Sequence, residues 1–315
     1  MTMPLNRTGV SHTIFRLLGI PGFQDLHLWI SLPFFISYII SLLGNGLLLF
    51  IILSRRSLHE PMYLFISMLS GADIFLSTCI VPQALAIFWF QAGEISLDRC
   101  LTQIIFISAT FISESGILLV MAFDRYIAIC SPLRYTAILT HALIGKIGVA
   151  IFLRSYCTVL PVIYLLKRLT FCKSNILPNT ACKDIMLAHL SCNDIRINIW
   201  YGFFILMLTL VLDIVLIFIS YLFILRAVFR IPSRDARAKT LNTCGSHICV
   251  ILHFYGPGIF SILTQRFGRH VALSVQVVLG NVYILIPPML NPVIYGVKTK
   301  QIREQLVHLL IPKHK

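Results

Sequence analysis

Charge is scarce in this chain. Only 12% of its 315 residues are Asp, Glu, Lys or Arg, against about 25% in a soluble domain. Such a surface is too small to cover a fold in water. Acids are scarcest of all, 12 against 26 basic residues, for a formal net charge of +14. The basic residues form no stripe on one face, which argues against nucleic acid as a partner. They lie in short segments between apolar runs, the pattern of loops facing anionic lipid headgroups. Residues 1–27 lack the basic start and apolar core of a cleaved signal peptide. No internal repeat, low-complexity linker or inverted pair of halves is visible, so neither a solenoid nor a typical inverted-repeat transporter is indicated. There is no nucleophile elbow, metal cluster or phosphate-binding loop, and no catalysis is expected.

What is abundant is hydrophobic residues, 57% of the chain. They gather in seven runs, 28–53, 61–90, 100–123, 142–166, 197–225, 240–264 and 271–296. Each reaches the roughly 20 helical residues that cross a bilayer. The expected fold is an all-α membrane protein, a seven-helix bundle. Residues 1–27 form an outer N-terminus, 28–297 the bundle, and 298–315 a cytoplasmic tail with a short amphipathic helix. With the N-terminus outside, cytoplasmic segments hold 15 Lys and Arg and outer ones 10, the sense of the positive-inside rule. The sequon at Asn6 then falls outside, as a glycosylation acceptor. Cys100, Cys172, Cys182 and Cys192 fall in the same oxidising space. Four cysteines imply two bridges, with three pairings open.

Polar groups inside such runs are costly and are functional candidates. Asn45, Asp73, Glu114, Asp213 and Asn291 are isolated in this way. Asp73 and Glu114 both lie midway along their runs and can meet in the bundle core. Two close carboxylates cannot both stay ionised unpaired, so either one holds a proton or a cation, sodium foremost, sits between them. Asp213 has no evident partner and reads as a neutral acid or a lumen-facing group. Pro292, after Asn291, frees a backbone carbonyl within a span and marks a bend. Asp124 and Arg125 sit side by side where the third run ends.

These residues form a set. DRY at 124–126, NPVIY at 291–295, Asn45 and Asp73 resemble rhodopsin-like G-protein-coupled receptors. PMYLFISMLSGAD at 61–73, MAFDRYIAICSPLRY at 121–135, SY at 220–221, KTLNTCGSH at 239–247 and PMLNPVIYG at 288–296 are similar to olfactory receptors. HFYGPG at 253–258 stands where most of the superfamily has CWxP. HEPMY at 59–63, RFGRHV at 266–271 and VKTKQIR at 297–303 look like the class I, fish-like branch. Thr240 and Asn242 depart mildly from the usual sixth-span motif. Lys183 and Asp184 follow Cys182 directly, where class I loops often place a histidine.

The resemblance implies an odorant receptor in the plasma membrane, coupled to a stimulatory, olfactory-type heterotrimeric G protein that raises cyclic AMP. It implies switch roles for Asp124, Arg125, Tyr126, Tyr221, Asn291, Pro292 and Tyr295, and pairs Cys100 with Cys182 and Cys172 with Cys192. No cofactor is required beyond the candidate sodium. Class I relatives favour hydrophilic odorants, carboxylic acids above all. Arg266 matches the arginine that holds the acid, as guanidinium pairs with carboxylate in a planar contact. The acid's tail is expected among Ile112, Val159, Val162, Ile259 and Ile262, with Ser108 and Gly202 beside it and Lys183 as a second cation. The alternatives are an ectopic sensor of endogenous short acids and, from a different class, a carboxylate transporter, in which the DRY and NPVIY ends have no evident use.

Overall fold

The structure is a computed structural model that describes residues 11–267 and 271–310; the side chains of residues 239, 243, 261–267 and 310 lie outside that description. In chain order, α1 (His27–Ser54), α2 (Pro61–Phe90) and α3 (Leu97–Cys130) are followed by a short α4 (Tyr135–Ile138) and by α5 (His141–Lys167). A loop carrying α6 (Asp184–His189) leads to α7 (Arg196–Ile205), which runs through the π-helical turn Leu206–Val211 into α8 (Leu212–Phe229). Then come α9 (Arg234–Phe267), α10 (Leu273–Lys298) and α11 (Lys300–Leu310). Six of these helical stretches are long and apolar enough to cross a membrane among the described residues, and α9 completes a bundle of seven.

Helix α3 runs through the middle and packs against α2, α5, α8 and α9, while α1 packs against α2 and α10. The outward faces are apolar, as lipid requires: Trp29 and Leu43 of α1 are each 69% exposed. The bundle's own polar groups turn inward, where Asn45, Asp73, Glu114 and His247 have no exposed surface.

Prolines interrupt several spans without breaking them. Pro292 in α10 has no N–H to donate to the carbonyl of Pro288, four residues earlier. Asn45 of α1 donates to that carbonyl instead, at 2.8 Å. Neighbouring side chains are the general remedy for such freed carbonyls in lipid. The two helices are close here, since a Cβ on Gly44 would lie 2.8 Å from the Pro292 ring.

At the end of the bundle where α2 leads into α3, a three-stranded sheet forms a cap. Strand β1 (Ile14–Leu17) lies between β2 (Glu94–Ser96) and β3 (Ile176–Leu177). It pairs antiparallel with β2, Phe15 opposite Ile95, and parallel with β3, Leu17 opposite Leu177. Phe15 and Leu17 point down into the upper core, with Phe15 edge-on to Phe171 at 5.3 Å. Cys100 in the first turns of α3 is bonded to Cys182, with Cα atoms 5.5 Å apart, and Cys172 to Cys192 at 5.8 Å. The long loop is thereby tied to the bundle and folded on itself.

Candidate functional sites along the bundle axis

At the end away from the cap, Asp124 is fully buried and paired with Arg125 at 2.6 Å. It is therefore no surface ion pair. The Tyr135 hydroxyl of α4 donates to the other Asp124 oxygen at 2.7 Å. Burial, with the Asp124 charge beside it, pushes the Tyr135 phenol above its ordinary range, so it remains a donor. Across from this, Tyr221 of α8 bonds the Nδ1 of His247 in α9 at 2.8 Å. Tyr295 is 1% exposed and packs with Met121 of α3, and Tyr126 packs against Phe223 at 5.9 Å. A cavity of about 540 Å³ opens here, lined by Arg125, Tyr63, Asn242, Ser246, Lys300 and Glu304 among others. Asp124, Arg125, Tyr126, Tyr221 and Tyr295 all surround this end of the bundle.

Two acidic sites occupy the middle. Asp73 accepts from the Asn291 amide at 3.0 and 3.2 Å. Asp73 lies close enough for its charge to act on Glu114, and among the described residues neither Glu114 oxygen has a hydrogen-bond partner. Glu114, a pair of acceptor oxygens without a donor, has the chemistry to take a proton or face a small cation.

Asp213 overturns an expectation. It is paired with Arg154 of α5 at 2.8 and 2.9 Å through both oxygens, and it also accepts from Ser115 of α3 at 2.7 Å. Ser115 in turn bonds Tyr255 of α9 at 2.7 Å. One chain of contacts thus joins α5, α8, α3 and α9. The π turn before Asp213 carries an extra residue per turn, a device that re-aims the side chains after it. Arg154 was visible in the sequence as one of two basic residues, with Lys146, inside the apolar run 142–166. Its pairing with a residue 59 positions away was not, nor were Ser115, Tyr255 and His247 marked in advance as members of a site.

Near the cap, Ile112 and Val159 are buried in one cluster, with Val162 packed against it. Ser108 is partly buried and Gly202 has open space where a Cβ would be. Ile259 is 40% exposed and does not join the buried cluster, so the expected apolar lining is only partly assembled. The side chains of Ile262 and Arg266 and all of Asn6 lie outside the described residues. Lys183 projects under the loop against α10.

The comparisons with known proteins now decide the family. The family model described as olfactory receptor matches residues 34–313. This chain belongs to the olfactory receptor family. It is 70% identical to olfactory receptor 52B4 of Homo sapiens over 99% of both chains. It is 54% identical to olfactory receptor 52B2, covering 94% of this chain and 91% of that one, and 46% identical to olfactory receptor 51F2, covering 98% and 91%. Both of these are also from Homo sapiens. The receptor is a class I member of the rhodopsin-like G-protein-coupled receptors, a family of odorant receptors rather than enzymes.

Proposed function

We propose that this receptor detects small aliphatic carboxylic acids and signals through a stimulatory, olfactory-type G protein that raises cyclic AMP. The observation that carries the coupling half is the buried Asp124–Arg125 pair, held by Tyr135 at the edge of the 540 Å³ cavity. Arg125 is restrained there and would be released when α9 moves away from α3. The Tyr255–Ser115 contact joins α9 to α3, so a ligand that shifts α9 acts on that motion through it. Arg125→Ala should abolish cyclic-AMP responses while surface expression persists. A variant that signals normally would sink the coupling role.

The ligand half rests on the place of Arg266 in the last turn of α9 and on the buried apolar cluster that holds Ile112, Val159 and Val162. Removing one partner of a buried charge pair costs about 2–5 kcal/mol. Arg266→Ala should therefore lower acid potency roughly 30-fold or more, at tenfold per 1.4 kcal/mol. Arg266→Lys should recover only part, because an ammonium lacks the planar fork. Each buried methylene adds up to about 0.8 kcal/mol until the space is full, so potency should climb with chain length and then fall. The matching alcohol should be much weaker; equal potency of acids and alcohols would overturn the ligand class.

The cap faces outward in this reading, which puts both disulfides and the Asn6 sequon in the oxidising space and the Arg125 cavity in the cytoplasm. Sodium between Asp73 and Glu114 would favour the resting state, since ligand and ion bind different conformations. Breaking Cys100–Cys182, which closes 82 residues, should reduce surface delivery more than breaking Cys172–Cys192, which closes 20. Chain entropy alone makes the first loop worth about 1 kcal/mol more. Equal surface levels of Cys182→Ser and Cys192→Ser would contradict that order.

A further inference from the structure

Lys183 follows Cys182 directly, so the bridge to Cys100 holds it at the mouth of the bundle. Its ammonium reaches α10, where a Cβ on Gly280 would lie 2.7 Å from Nζ. Any larger residue at 280 would displace the ammonium, and the glycine leaves it room. Among the described residues no hydrogen-bond acceptor or ion-pair partner for Nζ is found. Burial depresses the Lys183 amine below the ordinary lysine range, and the charge of Asp184 beside it offsets part of that.

The side chain lines a cavity of about 390 Å³ between α6 and the start of α10. That volume is within the range of small-ligand sites, about 300–1,000 Å³. Its walls are largely apolar, with Met186, Leu190, Leu273 and Val277, and it has no acidic side chain in its lining. Two of its polar residues are engaged elsewhere: the Asn179 oxygen accepts from the Thr180 N–H, and the Gln276 amide donates to the Val271 carbonyl. What is missing is an acceptor for a cation, next to apolar wall. An anionic head on a short apolar tail supplies both.

We propose that Lys183, in the space opened by Gly280, forms an anion subsite at the mouth of the bundle that takes the headgroup of a short aliphatic carboxylate. Apart from Lys183 itself, which the sequence offered as a second cation, the subsite uses none of the residues expected around the acid deeper in the bundle. It would collect acid under the loop before, and independently of, any contact with Arg266. It rests on the carboxylate reading of the ligand and adds a second, separate place where that ligand binds.

The test is a footprint on the full-length receptor in membranes. Amines are reductively methylated with formaldehyde and a borohydride, with and without hexanoate or hexanol, and modification is read by mass spectrometry. Hexanoate should slow methylation of Lys183 roughly threefold or more, as expected when about two thirds of sites are filled at twice Kd. Exposed Lys167 should be unaffected, and hexanol should protect neither. Gly280→Ala, which shifts only the flexible tip of Lys183, should remove the protection; Arg266→Ala should leave it. In cyclic-AMP assays Lys183→Ala should raise the half-maximal concentration of hexanoate roughly tenfold, about 1.4 kcal/mol. Unchanged Lys183 methylation in hexanoate, or full protection in Gly280→Ala, overturns the subsite. If acids protect Lys183 and never activate, the subsite stands and the acid-agonist reading fails. If acids activate without protecting Lys183, the reading stands and the subsite falls.

Discussion

Asp213 and Glu114 are almost equally buried, 1% and 0% exposed, and differ entirely in company. Asp213 has an arginine on both oxygens and a serine hydroxyl besides. Among the described residues Glu114 has no donor, and it has Asp73 for a neighbour. The first arrangement is self-sufficient, and it ties four helices together. The second offers acceptor oxygens without donors, chemistry that suits a proton or a cation. A membrane bundle thus holds the same chemical group in two settings, one joined to donors from other helices and one with no donor among the described residues, and the number of donors in reach separates the two.

The largest effect should come from breaking the joint on one side. Arg154→Met leaves Asp213 charged and uncompensated, and loss of one partner of a buried pair costs about 3–5 kcal/mol. Surface delivery should collapse, and cell-surface labelling would show it. Replacing both partners, Arg154→Met with Asp213→Leu, should restore much of the delivery, because an apolar pair of similar volume carries no desolvation penalty. Failure of the double variant to recover would mean that the network contributes more than charge balance.

Asp213→Asn should be milder, about 1–3 kcal/mol, the range for a buried polar group left imperfectly paired. It keeps one acceptor for Ser115 or Arg154 and loses the charge. A shift in basal cyclic AMP is expected with it, since Ser115 also holds Tyr255. Asp73→Asn should cost less again, about 0.5–1.5 kcal/mol, as an amide oxygen can still accept from Asn291. Its signature should be an altered response when sodium is replaced by a large organic cation.

Glu114→Gln should have the smallest effect on stability, because no donor among the described residues depends on that carboxylate. Expression should be unchanged within about 0.5 kcal/mol of stability, while the response to sodium should be lost. If Glu114→Gln unfolds the receptor, Glu114 is a joint like Asp213 and the contrast drawn between them is wrong.

The spans were legible because lipid demands long apolar runs. The run at 61–90 has the bounds of α2, Pro61–Phe90. The ends were less legible. The apolar run at 100–123 stops where the hydrocarbon would, yet α3 continues to Cys130 and carries Asp124, Arg125 and Tyr126 on its last two turns. Hydropathy reports where lipid is, and a helix can run on past it. The sixth run, 240–264, likewise sits inside the longer α9. The three-stranded cap was not legible at all. Its strands are two to four residues long and come from three separate segments, too short to carry a period-2 pattern.

The sequence by itself determined that this chain crosses a membrane as a seven-helix bundle, that its family is the olfactory receptors, and which polar residues are placed at a cost inside apolar runs. Those are local properties, readable from composition, run length and short motifs. Only the tertiary structure decided the company each polar residue keeps. It set Arg154 against Asp213, Asn45 under the Pro288 carbonyl, Tyr135 on Asp124 and Lys183 against Gly280. Asn45 and Pro288 are 243 residues apart and Arg154 and Asp213 are 59. Even Tyr135, only 11 residues from Asp124, returns to it through a turn of the chain. In water a stray polar group can be satisfied where it stands. Inside a bilayer no bulk water is at hand; for Asn45, Arg154 and Asp213 the partner comes from another helix, and which helix that is depends on how the whole bundle packs.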